Sequence, residues 1–275
     1  MDALSESRSG LNPPAPPAKR SIADLLAPLD RLALTSASLI SKPGGRFEIQ
    51  GQTYDMPRYV FLGPRAGAEP IRLGLFAAVH GDEPEGAVAL VEFLALLDRN
   101  PEPAAGYCLF AYPVCNPTGF EDNTRCSRRG HDLNREFWNN SSQPEVQLLQ
   151  REIYHHAFEG MISLHSDDTS HGMYGFVSGA TLTRHLLQPA LRAAEQVLPC
   201  NYNEIIDGFE ARNGIIHSGY QGVLSAPPDV HPRPFEIILE TPQAAPRRQQ
   251  ELALVAALQT ILAEYRSLVA YAPNL

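Results

Sequence analysis

The sequence predicts an α/β fold: a three-layer α/β/α sandwich around a mixed, largely parallel sheet. Three observations predict it. Apolar runs of strand length at residues 71–79, 107–114 and 235–239 read as strands covered on both faces. Between them, apolar residues recur at helical spacing, as in Val88, Val91, Leu94 and Leu97. Strand and helix alternate along the chain, the order that builds a sheet with helices on both faces.

Taken in order, residues 1–20 form a proline-rich arm around Asn12-Pro13-Pro14-Ala15-Pro16-Pro17, and residues 21–275 read as a single domain. A helix is expected at 22–34, with Pro28 as a break point. Residues 46–50 and 57–62, separated by a segment beginning Gly51-Gln52, read as a hairpin. The strand at 71–79 runs into His80-Gly81-Asp82-Glu83-Pro84, and Pro84 suits the first turn of a helix over 84–98. The strand at 107–114 ends at Asn116-Pro117. A helix over 144–159 leads to a short strand, 161–164, and then His165. A strand at 174–177 precedes a helix over 182–197, with a kink expected at Pro189. The strand at 235–239 ends at Glu240. A last helix, 247–268, carries Leu252, Val255, Leu258, Leu262 and Tyr265 on one stripe. No internal repeat is present.

Composition narrows the function classes. The 275 residues hold 22 Lys+Arg against 31 Asp+Glu, a net charge of −9. That balance argues against nucleic acid or an anionic membrane as the main partner. The only lysines are Lys19 and Lys42; every other cation is an arginine, whose planar fork grips carboxylates and phosphates as lysine does not. Cys108, Cys115, Cys126 and Cys200 lack C-x-x-C spacing, so neither a zinc knuckle nor a disulfide framework is expected. The start, Met1-Asp2-Ala3-Leu4-Ser5-Glu6, has no basic or apolar leader, and no run approaches the ~18 apolar residues of a membrane span. The expectation is a cytoplasmic protein without membrane or nucleic-acid partners. Its oligomeric state leaves no signal.

In sheets of this kind ligands bind beyond the carboxyl ends of strands. His80, Asn116, His165 and Glu240 all fall at or just past such ends. His80 and Glu83 form an H-x-x-E pair, and imidazole with carboxylate suits zinc. Chance alone supplies roughly half a copy in this composition, and His156 with Glu159 is a second copy. That second pair falls in an amphipathic helix and reads as a solvated face. His165 is the candidate third ligand, against the reading of a structural histidine at a strand end. Asp168 and His171 stand as alternatives, and Asp82 or Asp167 could orient a ligand imidazole. The densest chemistry is Arg125-Cys126-Ser127-Arg128-Arg129-Gly130-His131-Asp132-Leu133-Asn134-Arg135. It reads as a solvated basic loop or as a set that holds a carboxylate in two-pronged fashion.

The order of these features is specific. H-x-x-E, then Asn116-Pro117-Thr118-Gly119, then Arg125 ahead of Asp132-Leu133-Asn134-Arg135, a strand–His and a strand–Glu resembles the zinc carboxypeptidase superfamily over about residues 71–242. That superfamily includes bacterial murein-peptide amidases and the succinylglutamate desuccinylase/aspartoacylase branch. The resemblance implies a carboxypeptidase-like catalytic domain with one zinc ion on His80, Glu83 and His165. It implies that Arg125 polarises the scissile carbonyl, that Asn134 and Arg135 clasp the substrate carboxylate, and that Glu240 is the general base. Tyr220 resembles the family's mobile tyrosine, and Arg128 and Asn116 join the substrate-binding group. Ser127, His131 and Ser163 depart from the usual pattern, the last standing where an aspartate is common. The implied activity is hydrolysis of an amide beside a free carboxylate in a small peptide. The alternatives are an N-acyl amino acid amidohydrolase and a non-catalytic metal- or peptide-binding relative.

Overall fold

The computed structural model describes residues 19–271, so the proline-rich arm lies almost wholly outside the described residues. Helix α1 (Ile22–Ala33) is capped by Ser21, whose hydroxyl accepts from the Asp24 amide, and it runs through Pro28 unbroken. The strands β1 (Leu39–Ser41), β2 (Gly45–Ile49), β3 (Gln52–Met56) and β4 (Tyr59–Leu62) follow. The early hairpin therefore pairs residues 45–49 with 52–56, and residues 59–62 instead join the main sheet. Two consecutive extended segments on one short connection were legible; which of them turned back was not.

Strand β5 (Ile71–Ala77) leads to α2 (Pro84–Arg99), and β6 (Tyr107–Tyr112) leads to α3 (Pro117–Asp122). Next come α4 (Pro144–His156), β7 (Gly160–Asp167), β8 (Tyr174–Val177) and α5 (Ala180–Leu182). A π-helical turn, Thr183–Leu187, then precedes α6 (Gln188–Ala194), so the irregularity expected at Pro189 falls one turn earlier and leaves Pro189 in a first turn. The short strands β9 (Ile205–Ile206), β10 (Phe209–Arg212) and β11 (Ile215–Ile216) lead to β12 (Phe235–Pro242) and α7 (Arg247–Tyr271).

Ten strands form one sheet in the order β1-β4-β6-β5-β7-β12-β8-β11-β10-β9. Strands β6, β5, β7 and β12 are mutually parallel, β4 and β8 run antiparallel to them on either side, and β8 and β11 are parallel to each other. Every residue of β6 is buried, as its unbroken apolar run requires. Helices α1, α2, α6 and α7 cover one face of the sheet, while α4, the β2–β3 hairpin and long loops cover the other. By length and composition α7 could cross a membrane, but its apolar residues Leu254, Leu258, Ile261 and Leu262 fill the core. Leu252 is exposed, and Ala253 and Leu254 beside it are the buried residues of that turn. Helix α4 stops at His156 because Ala157 takes a left-handed conformation. The His156–Glu159 pair is thus split between a helix and the approach to β7, and His156 packs on Phe110 rather than facing water.

Candidate metal centre and active-site cavity

Strands β5 and β7 lie side by side, so their carboxyl ends deliver His80 and His165 to one point. The His80–Glu83 turn is drawn tight over α3: a Cβ on Gly81 would lie 2.0 Å from the Gly119 carbonyl carbon, so only glycine fits. Arg20 donates to the Gly81 carbonyl at 2.8 Å and braces the same turn. Glu83 sits just before α2 and reaches both imidazoles: its Oε1 is 2.6 Å from His80 Nδ1 and its Oε2 is 2.9 Å from His165 Nδ1. All three side chains are buried, and one donor atom from each lies within 4.8 Å of the others. Among the described residues this is the one group of three so arranged.

The outer nitrogens are held as well. His80 Nε2 lies 3.2 Å from Asp132 Oδ1, and His165 Nε2 lies 2.9 Å from Ser163 Oγ. Ser163 and His165 share a face of β7 by the two-residue strand period, so the serine makes the contact from the place where aspartate is usual. Asp132 was missed as a functional residue in the sequence reading, and it is the hub of the site. It also takes the Arg125 Nε at 3.1 Å and the Asn134 amide at 3.0 Å. Its signal was present as the first residue of the D-L-N-R run. The candidates for orienting an imidazole, Asp82 and Asp167, do neither: Asp82 Oδ1 has no partner, and Asp167 binds Thr169 and Tyr174.

Burial and charge set the protonation pattern. Burial alone would raise the Glu83 carboxyl, but the two imidazoles hold it down at about 2. Burial pushes His165 down, whereas at His80 the carboxylates of Asp132 and Glu83 outweigh burial and raise it. Two imidazoles, each held at its outer nitrogen, and an ionised carboxylate suit a divalent metal ion. Glu240 pairs in register with His165 across β7 and β12. Burial raises its carboxyl well above the usual range, and the charges of Glu83, Asp167 and Asp207 add to that. It lies inside a strand that runs two residues further, not at its end.

His80, Glu83 and Glu240 line a cavity of about 350 Å³ together with Arg125, Asn134, Arg135 and Tyr220, whereas His165 is buried and does not line it. Arg125 also approaches Glu83 Oε1 at 3.6 Å. Asn134 Oδ1 accepts from the Leu224 amide at 2.8 Å, and Gly222 packs so closely that a Cβ would lie 2.3 Å from the Arg135 carbonyl oxygen. This contact brings Tyr220 over the Arg135 guanidinium, 4.3 Å from the ring centroid. Two residues expected at the substrate do not line this cavity. Arg128 points away from the cavity into Asp122 (2.6 Å), Glu121 (3.2 Å) and Tyr54. Asn116 is fully buried: it caps α3 through the Gly119 amide, and its side-chain nitrogen donates to the Val79 and Arg125 carbonyls. Both residues were assigned to substrate from their neighbourhood in sequence, which does not fix side-chain direction.

Fold and cavity define the class: a carboxypeptidase-like α/β fold with a buried His-Glu-His cluster beside its cavity. The chain belongs to the succinylglutamate desuccinylase/aspartoacylase family, whose catalytic-domain profile matches residues 70–214. The matched stretch contains His80, Glu83, Arg125, Asn134, Arg135 and His165; Tyr220 and Glu240 lie beyond it. Among solved structures, a Shewanella baltica protein described as a metallopeptidase is 22% identical with a TM-score of 0.72, over 88% of this chain and 92% of that one. A metallo-carboxypeptidase from Burkholderia cenocepacia is 16% identical with a TM-score of 0.70, over 90% and 70%. A Pseudomonas aeruginosa metallo-carboxypeptidase, solved in complex with (2-guanidinoethylmercapto)succinic acid, is 19% identical with a TM-score of 0.64, over 89% and 68%. These likenesses show a shared fold. No curated protein matches the chain.

Proposed function

We propose that this chain is a zinc-dependent hydrolase that cleaves an amide bond beside a free carboxylate in a small substrate. The observation that carries the reading is the buried cluster of His80, Glu83 and His165, of which His80 and Glu83 line the cavity, with Glu240 in register beside His165. A bound zinc ion would supply Lewis acidity, lowering the pKa of water and polarising a carbonyl. The chain's own residues do the rest. Glu240, with its carboxyl raised by burial and by neighbouring carboxylates, suits taking a proton from the attacking water and handing it to the departing amine. Arg125 is half-exposed at the cavity wall and offers donors to the oxygen on which charge grows. Arg135 and Asn134 would hold the carboxylate and so fix the carbonyl over the water.

The spacing from Arg125 to Asn134-Arg135 favours a carboxypeptidase-like peptide substrate. Membership in the desuccinylase/aspartoacylase family favours a second form of the same chemistry, in which the acyl group is a small acid and the substrate an N-acyl amino acid. A panel of free-acid peptides, their C-terminal amides and N-acyl amino acids, assayed with zinc and with a chelator, separates the two. Only the free acids should be cut, and only with metal present. Equal cleavage of the amides would remove the carboxylate clasp. Glu240→Gln should still take up zinc and lose turnover by about 10²–10⁴-fold, the usual worth of a general base; near-normal turnover would remove Glu240 from the reaction.

A further inference from the structure

We propose that Arg20 is a positioning residue of the metal centre: it fixes the peptide between His80 and Glu83, and with it the angle at which these two ligands meet an ion. This rests on the metal reading of the His80–Glu83–His165 cluster. Arg20 lies far ahead of the segment matched by the family profile, and no motif in the sequence ties it to the site. His80 and Glu83 are the corners of a four-residue turn, closed by the Glu83 amide, which donates to the His80 carbonyl at 3.3 Å. Between the corners stands the Gly81–Asp82 peptide. Its plane is the soft coordinate of such a turn, because rotating it exchanges one turn type for another while the corners stay close. That rotation changes the backbone angles on either side and re-aims the corner side chains.

Arg20 holds that plane. Its Nη1 donates to the Gly81 carbonyl oxygen at 2.8 Å, and no other donor among the described residues reaches that oxygen. The Gly81 amide, by contrast, donates to the Arg125 carbonyl only at 3.4 Å. A hydrogen bond from a charged donor is roughly twice as strong as a neutral one, so the Arg20 contact is the firmer of the two. Arg20 is itself seated on α3: its amide donates to the Glu121 carbonyl at 2.9 Å, and its guanidinium lies 5.5 Å from the centroid of the Phe120 ring. The turn rests on the same helix, since a Cβ on Gly81 would lie 2.3 Å from the Phe120 nitrogen. Helix α3 is thus one platform for Arg20 and for the turn. Glu85 favours a cation there: it is buried, its Oε1 lies 3.3 Å from Arg247, its Oε2 has no partner, and its charge acts on Arg20 as well.

The test uses full-length protein, stripped of metal and reloaded, as wild type, Arg20→Met, Arg20→Lys and Arg247→Ala. Arg20→Met keeps an apolar stem over Phe120 and removes the donor, whereas Arg20→Lys keeps a donor and the charge. Arg247→Ala removes a cation beside Glu85 without touching Gly81. Zinc competition against a calibrated chelator should show Arg20→Met at least about tenfold weaker than wild type, the lower end for losing a group that orients a ligand. Arg20→Lys should regain most of that loss, and Arg247→Ala should match wild type. The visible absorption of the cobalt-loaded protein should change in Arg20→Met, and amide exchange at Asp82 and Glu83 of the metal-free protein should quicken in the same variant. A residue that merely holds the fold would lower the unfolding midpoint and leave the cobalt spectrum as it is. The proposal falls if Arg20→Met binds zinc as wild type does, if Arg247→Ala weakens zinc by the same factor, or if affinity drops with an unchanged cobalt spectrum. Equal zinc binding by wild type and Arg20→Met overturns this proposal alone. A wild type that binds neither metal overturns the metal reading; quicker exchange at Asp82 and Glu83 in Arg20→Met then sustains the hold of Arg20 on the turn, and unchanged exchange overturns it.

Discussion

Replacing Asp132 by asparagine tests how the centre is held. Asp132 Oδ1 serves two donors, His80 Nε2 at 3.2 Å and the Asn134 amide at 3.0 Å, while Oδ2 takes Arg125 Nε at 3.1 Å. All three are donors, so both oxygens must accept, and only a carboxylate does that. Asparagine has one accepting oxygen. If it faces His80, its NH₂ group meets the Arg125 N–H; if it faces Arg125, the His80 imidazole loses its acceptor and its preferred tautomer. Either way the negative charge behind a ligand imidazole is lost. Loss of such a partner weakens metal affinity about 10–100-fold, or roughly 1.4–2.7 kcal/mol. The assay is zinc competition against a calibrated chelator at neutral pH, with wild type and Asp132→Asn compared by circular dichroism to confirm equal folding. A zinc affinity within threefold of wild type would refute the claim that Asp132 holds the His80 ring.

Two further predictions concern residues outside the reaction. Arg128→Ala should leave KM unchanged and lower stability by about 1–3 kcal/mol, because Glu121 and Asp122 lose their guanidinium partner and keep only Tyr54 and Lys19; a raised KM with unchanged Tm would return Arg128 to the substrate. Glu152 is buried, which alone would raise its carboxyl, yet His156, Tyr112 and Arg58 hold it down at about 2, below the usual 4.5. Its folded pKa is depressed, so its contribution is complete above about pH 4.5 and is lost as pH falls toward 2. Glu152→Gln should therefore cost on the order of 3 kcal/mol at pH 7 in urea unfolding, with the gap closing over that acid window. Curves that stay parallel down to the acid end would contradict it.

The sequence by itself determined the alternation of elements and where the buried strands begin, though not where they end. Apolar runs such as 71–79 and 107–114 have only one stable use, inside a covered sheet, so they mark β5 and β6 without help from the rest of the chain. It also singled out the residues that meet in the cavity, because His80, Arg125, Asn134, Arg135 and His165 stand in a recognisable order along the chain. Only the tertiary structure decided directions and partners. Arg128 is three residues from Arg125 in an irregular loop, where no period fixes orientation, and the nearby acids of α3 turned it away from the cavity. Asn116 stood at a strand end as a binding residue would, but the Gly119 amide in the first turn of α3 claimed its side-chain oxygen. Asp132 could not be tied to His80, nor Ser163 to a ligand ring, until strands and loops were packed together. Which carboxylates line the cavity was likewise open until the β9–β10 hairpin carried Asp207 to its wall. A side chain's role is fixed by the atoms it meets, and those atoms come from segments far apart in the chain.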